Sequence, residues 1–192
     1  MGFKTQHTER LILRPVSLAD APDLLVYHSD PDVVRFIPWP ERDLDAVISA
    51  IEGYHRLSQS LADDGDGLVL AWALKSTGRV IGQSNMSVTS KANQTADLGW
   101  VLNPAFGGQG YAFEATQALL RAAFEAFGLH RVVASIDTRN GPSARLAEKL
   151  GMRLEGELKG AVWTKGEWCD TWLYAIVRDE VIQDNRCSVD VG

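Results

Sequence analysis

Cysteine is scarce. The two in the chain, Cys169 and Cys187, form no close pairing motif, which argues against a disulfide scaffold or a cysteine-based zinc site and suits a reducing, cytoplasmic setting. The four histidines, His7, His28, His55 and His130, are scattered without ligand spacing on a shared face, so no metal site is expected. Basic charge is in deficit: 19 Lys and Arg against 25 Asp and Glu leave a net charge of −6. That argues against nucleic acid as a partner. No apolar run approaches the ~20 residues of a membrane-spanning helix, and the N-terminus lacks the apolar stretch and cleavage site of a signal peptide. No membrane partner is expected. The opening "MGFKTQ" begins like a myristoylation motif but carries Gln6 where Ser or Thr is wanted.

What remains is ordinary for a soluble globular protein: 45% hydrophobic and 23% charged residues in a chain of 192. The charge is uneven. Between Pro104 and Arg153 six basic residues face four acidic ones, so the acidic excess lies elsewhere. A mildly basic region fits a small polyanion, and scattered solvated charge fits equally well.

"TERLILRP" reads as a short strand, and Ser17 with Asp20 three residues on reads as a helix start. "SDPDVVRFIPWPE" is turn-rich. Leu44, Val47, Ile48 and Ile51 have helical spacing, predicting an amphipathic helix over 43–60. "LVLAWALK", "RVIGQSNMSVT" and "TADLGWVLN" read as strands of an antiparallel meander, the first two joined by the turn "STG". A helix over about 110–127 ends at Gly128, a residue suited to the position after a helix. "RVVASID" is a further strand, and Pro142 opens a helix that stops at Gly151. Two closing strands, about 153–163 and 168–178, flank the turn "TKGE". Strands 95–103 and 131–137 flank one helix and should be parallel neighbours across a right-handed crossover. The expected architecture is a mixed α/β sheet: a meander, one βαβ crossover and a closing hairpin. It forms a single domain over 1–182 with a polar tail over 183–192.

The stretch "NPAFGGQGYAFEA", residues 103–115, places Gly107, Gly108 and Gly110 before a helix. A Walker A loop would end in Gly-Lys-Ser/Thr, and Tyr111 and Ala112 stand there instead. A dinucleotide fingerprint would need a third glycine where Phe113 stands, and two βαβαβ halves where this chain has one crossover. A strand, a glycine turn and a helix N-terminus suit a pyrophosphate on free backbone N–H groups; a tight turn is the alternative for the stretch taken alone.

The stretch is followed by "RVVASID" and "NGPSARLAEKLGM". That succession resembles the GNAT superfamily of acyl-CoA-dependent N-acyltransferases, and more narrowly its RimJ/RimL-like branch. "TERLILRPVSLADAPDLL", "IPWPE", "ADLGWVLNPAFGGQGYAFEA" and "WCDTWLYAIVRDE" extend the likeness over nearly the whole chain. The resemblance implies acetyl-CoA as cosubstrate and no metal. Its pyrophosphate would rest on the backbone of Phe106, Gly107, Gly108, Gln109, Gly110, Tyr111 and Ala112, and its pantetheine along Trp100, Val101 and Leu102. The family's turn is commonly Gln/Arg-x-x-Gly-x-Gly/Ala; Gly108 and Gly110 match it and Ala105 stands at the first place.

Acetyl transfer to an amine needs a neutral amine, an oxyanion donor and a leaving thiolate. Strand N–H groups near Val101 are the expected oxyanion donor. Thiols have pKa values of about 8.5, so the acid that protonates the thiolate need not be strong. Many relatives use a tyrosine where Ala147 stands. The resemblance carries the acid to Ser143, whose alternative role is a helix-start hydrogen bond. It carries a pantetheine- or substrate-contacting role to Asn140, which also reads as an Asn-Gly turn residue. Val162 stands about where the branch has a glutamate base. Asp97, matching a frequent acid on the coenzyme strand, is the expected base, with Glu157, Asp170 or a water chain as alternatives. Trp39 and Asn85 are expected on the acceptor side, and Trp72, Trp100 and Trp172 in the core.

An α-amine with pKa near 8 is ~10% neutral at pH 7, and a lysine ~0.04%. A weak base therefore favours an α-amine or another amine of low pKa, on a small molecule or a protein N-terminus. Direct attack in a ternary complex is expected. A non-catalytic acyl-CoA-binding protein is the alternative, and dimerisation is common in similar proteins.

Overall fold

The structure is a computed structural model that describes residues 2–180. Cys187 and the expected tail, 183–192, lie outside the described residues. The strands are β1 (Gln6–His7), β2 (Leu11–Pro15), β3 (Gly67–Leu74), β4 (Val80–Ser90), β5 (Thr95–Leu102), β6 (Arg131–Asp137), β7 (Arg153–Thr164) and β8 (Glu167–Val177). The helices are α1 (Ala21–His28), α2 (Pro31–Val34), α3 (Leu44–His55), α4 (Tyr111–Glu125) and α5 (Gly141–Lys149). All eight strands join one sheet in the order β1-β2-β3-β4-β5-β6-β8-β7. Every pairing is antiparallel except β5 with β6, and α4 makes the crossover between those two.

The sheet is covered on both faces, which is why β3 reads "GLVLAWAL" without polar alternation and is buried throughout. Its large residues Leu68, Leu70, Trp72 and Leu74 pack with Leu119, Ala123 and Phe124 of α4 and Ala144 and Ala147 of α5. Its small ones, Val69, Ala71 and Ala73, pack with Leu24 and Tyr27 of α1 and Val47 and Ile51 of α3. At ~25 cal/mol per Å² of apolar surface removed from water, these two clusters dominate the favourable side of folding.

Several boundaries differ from expectation. Helix α3 ends at His55 rather than near residue 60, because its last turn tightens: Arg56 N–H bonds Gly53 O and Leu57 N–H bonds Tyr54 O, at 3.1 Å each. Ser17 opens a 3-10 turn over Leu18–Asp20, and α1 begins only at Ala21, four residues after Ser17. Of the three tryptophans expected in the core, Trp72 is fully buried, whereas Trp100 and Trp172 are half-buried with their indole N–H groups bonded to Ser143 and Glu157.

The join between β2 and α1 rests on one carboxylate. Asp20 accepts from both Nη atoms of Arg14 at 2.7 Å, and from the Ser17 N–H and hydroxyl at 2.8 and 3.0 Å. Burial pushes the Asp20 carboxyl up, but the bonds from Arg14 and Ser17 outweigh it and hold it below the usual aspartate value. Asp20→Ala removes four acceptor contacts and leaves the guanidinium unpaired, so we expect a loss of about 2–4 kcal/mol at neutral pH in urea denaturation. The wild-type advantage is present above pH ~4 and lost as pH falls through the lowered native pKa.

Candidate active site

The site begins where a pairing stops. β5 and β6 share three rungs, Thr95–Arg131, Ala96–Val132 and Asp97–Val133. Beyond them β5 stays with β4 to Leu102, and β6 stays with β8 to Asp137. Gln94 O accepts from Arg131 N–H on the β6 side, and Asn103 N–H donates to Ile81 O across β4. Backbone groups alternate sides along a strand. Past the last rung the N–H groups of Trp100 and Leu102 therefore open on the gap, and that of Val101 turns to β4. Among the strand N–H groups near Val101, those of Trp100 and Leu102 face the gap and that of Val101 itself does not.

The turn after β5 leaves a longer row of free donors. Asn103 holds its start, accepting from Ala105 N–H at 3.0 Å with its side chain and from Phe106 N–H at 3.0 Å with its carbonyl. Gly107 N–H bonds Pro104 O at 2.9 Å. Phe106 and Gly107, expected as phosphate donors, are thus already bonded. The N–H groups of Gly108, Gln109, Gly110, Tyr111, Ala112 and Phe113 make no hydrogen bond among the described residues, and the first helical bond is Glu114 N–H to Gly110 O. Gly110 has φ +81°, which puts it in the left-handed region that turns the chain into α4. Arg10 braces the turn. It pairs with Glu114 at 2.7 Å, donates to Gln109 O at 2.9 Å and lies 4.2 Å above the Tyr111 ring. Six free donors at the N-terminus of a 15-residue helix, with a guanidinium beside them, fit a pyrophosphate.

A cavity of about 510 Å³ opens at the gap. On the α4–α5 face it is lined by Trp100, Asn140 and Ser143. Trp100 Nε1–H donates to Ser143 Oγ at 3.3 Å, and Asn140 Oδ1 accepts from Ser143 N–H at 3.2 Å. Ser143 thus accepts from the indole and keeps its own proton to give. On the α1–α3 face the cavity is lined by Asp97, Gly99, Val101, Gln83 and Asn85, beneath Phe36, Ile37, Pro38 and Trp39. A Cβ at Gly99 would lie 2.5 Å from Asn85 Oδ1, so the Asn85 amide lies across the glycine. The residues before α3 are held from above by Lys165 Nζ, 2.6 Å from Val34 O, and by Arg139 over Phe36 at 5.6 Å.

Asp97 sits at the last rung, half-buried, with no hydrogen bond to any described side chain or turn, and burial raises its carboxyl above the usual value. Val162 lines the cavity and brings no proton acceptor. Glu157 and Asp170 lie off the cavity wall, both bound to Lys159. Asp137 does line the cavity, but Arg139 grips both its oxygens and holds it below the usual range. Leu102 and the residues from Phe106 to Ala112 lie outside the cavity wall, along the route to the turn.

Residues 10–153 match the family described as acetyltransferase (GNAT) domain. The chain belongs to the GNAT acetyltransferase family. The uncharacterized N-acetyltransferase YnaD of Bacillus subtilis is 32% identical over 177 residues, covering 90% of this chain and 96% of that protein. The ribosomal protein uS5 alanine N-acetyltransferase of Escherichia coli is 27% identical over 180 residues, covering 88% of each. A crystal structure of a GNAT acetyltransferase from Bacillus anthracis superposes with a TM-score of 0.82 at 29% identity, covering 92% of this chain and 99% of that one. The GNAT fold uses acetyl-CoA, and the parted strands and free turn donors of this GNAT protein fit that coenzyme. Among the described residues no helix is long and apolar enough to cross a membrane.

Sequence reasoning missed one cluster beside the cavity. His28, fully buried, places Nε2 2.8 Å from Gln83 Oε1, an acceptor, so Nε2 carries the proton. Its Nδ1 lies 3.4 Å from Arg42 Nη1, which donates to it and, at 3.1 Å, to the Tyr54 hydroxyl. Trp39 stacks beneath Arg42 at 4.1 Å and lies 4.6 Å from His28. The histidine's partners are distant in sequence, and no spacing signalled them. Burial lowers His28 from 6.5 to about 4, with Arg42 adding to the fall and Gln83 opposing it. Below pH 6.5 the unfolded chain binds a proton that the folded one refuses, so acid weakens the fold until pH falls through about 4. That window carries about 3 kcal/mol at 1.36 kcal/mol per pH unit. His28→Gln should flatten the stability profile of this GNAT protein between pH 6.5 and 4, measured by urea midpoints.

Proposed function

We propose that this GNAT protein acetylates an α-amine, with Asp97 as base, the Trp100 N–H as oxyanion donor and Ser143 as acid. The observation that carries the reading is Asp97: a half-buried carboxylate without a hydrogen-bonding side chain, at the point where the strands part, in the same cavity as Ser143. Acetyl-CoA supplies an acetyl group activated as a thioester; the amine nitrogen bonds to the acetyl carbon as the carbon–sulfur bond breaks. Asp97 takes the proton that the nitrogen loses. Burial favours this, since a raised pKa makes a carboxylate a better base. Ser143, fixed by the Trp100 indole, gives its proton to the departing sulfur and recovers one from solvent.

The Gly108–Phe113 donors would hold the pyrophosphate, and the free backbone of Trp100 and Leu102 the pantetheine. Asn140 positions Ser143, and Asn85 and Trp39 line the acceptor side. The likeness to the uS5 alanine acetyltransferase supports a place in the RimJ/RimL-like branch and an α-amine acceptor. Cys169, a free buried thiol, is consistent with a reducing, cytoplasmic setting.

Thiol release from acetyl-CoA across an amine panel tests the reading. Asp97→Asn should lower kcat by about 10²–10⁴ with little change in the KM for acetyl-CoA. Ser143→Ala should cost less, on the order of 10-fold, because a thiolate leaves readily. An unchanged kcat in Asp97→Asn would sink the assignment of the base. Acetyl-CoA binding without thiol release for every amine would identify a non-catalytic coenzyme-binding protein.

A further inference from the structure

The acceptor side of the cavity holds two charges of opposite sign that do not pair with each other. Asp97 has no ion-pair partner among the described residues, and neither has Arg42. Both line the same cavity. The other carboxylate in its wall, Asp137, is taken by Arg139.

Arg42 is built into place. The Trp39 ring lies 4.1 Å beneath it, and Nη1 serves both the Tyr54 hydroxyl and His28 Nδ1. Those contacts leave Nε and Nη2 without a bond to any described residue. A guanidinium presents such donors as a planar fork matched to a carboxylate. Tyr54 accepts from Arg42, so its own hydroxyl proton is also free to donate. Gln83 adds to this wall. Its oxygen is occupied by His28 and Tyr27, while its amide nitrogen bonds no described residue. The remaining walls include Phe36, Ile37, Val69 and Val162, which offer apolar surface.

A cavity with a free cation, a separate free carboxylate and apolar walls matches a molecule that is itself zwitterionic. We propose that the acceptor is a free α-amino acid with an apolar side chain, its carboxylate held by Arg42 and Tyr54 while its amine meets Asp97. This deepens the acetyl-transfer reading and rests on it. A polyamine would place positive charge against Arg42, and a peptide N-terminus would bring an amide where the fork expects a carboxylate.

The test uses matched series of leucine, methionine and phenylalanine, each as the free acid, the primary amide and the decarboxylated amine, together with a dipeptide of each. Thiol release is read with acetyl-CoA saturating. Amidation lowers the amine's pKa and raises its neutral fraction, so intrinsic reactivity favours the amide. The expected order is the reverse, with kcat/KM for the free acid at least about 30-fold above the amide and the amine, since a charge-assisted pair is lost in both. Arg42→Gln should remove that preference by raising KM for the acid, bringing the acid-to-amide ratio of kcat/KM to within about threefold of one. Arg42→Lys should keep part of it, and the wild-type series stands if neither variant folds. Equal rates for acid and amide, or faster turnover of dipeptides, overturn the proposal while acetyl transfer stands. If no amine releases thiol, thermal shift with the acid and the amide alone separates the two readings. Stabilisation by the acid only keeps the carboxylate site and removes the transfer reaction, whereas no difference removes both.

Discussion

β5 and β6 share three rungs and then part, and the backbone groups left beyond Asp97 and Val133 must be satisfied by something other than the sheet. That constraint organises the rest. It exposes the N–H groups of Trp100 and Leu102 along one side of a gap. It leaves Asp97 at the apex, where the sheet still excludes water on one side and no neighbour neutralises the carboxylate. It also separates the faces that serve the reaction: even-numbered residues of β5 look towards α4 and α5, odd-numbered ones towards α1 and α3. Ser143 and Asp97 therefore reach one gap from opposite faces, an arrangement that suits the proposed acid and base.

The turn at the end of β5 obeys the same logic on a smaller scale. A helix start always leaves N–H groups without partners. Here no side chain caps α4, and Gly110 occupies the cap position. A serine or aspartate cap commonly bonds first-turn donors, but at the φ of +81° that Gly110 adopts such a side chain would be strained. It would also occupy the donors that fit a phosphate. Arg10, tied to Glu114 and Tyr111, steadies the turn without using them.

Much of this was legible in the sequence because it depends on local chemistry. Alternation and turn residues marked the meander, and the parallel crossover followed from two strands flanking one helix. The glycines marked the turn, though not which donors remained free: that depends on Asn103 and Pro104 having already engaged Phe106 and Gly107. The parity that favours Trp100 over Val101 was also hidden, since it needs the partner of each strand edge. Asp97 was legible as one acid among several. Its separation from Glu157 and Asp170 is tertiary, set by Lys159 on the outer hairpin. Least legible was the cluster of His28, Arg42, Tyr54 and Gln83, whose members come from α1, the loop before α3, α3 itself and β4.

That cluster works only while His28 is neutral. A protonated imidazole would carry hydrogen on both nitrogens, and Nδ1 would then meet the Arg42 guanidinium donor to donor, like charge against like. Burial prevents this by making the charged form costly, and Gln83 Oε1 fixes the remaining proton on Nε2. The neutral ring lets Nδ1 accept from Arg42 and hold it against Trp39 without cancelling its charge. A carboxylate in place of His28 would hold the arginine more tightly and neutralise it. The arrangement instead keeps a positioned cation without an ion-pair partner among the described residues beside the cavity. The stacking on Trp39 and the bonds to Tyr54 and His28 fix Arg42 where it forms no ion pair with a described carboxylate.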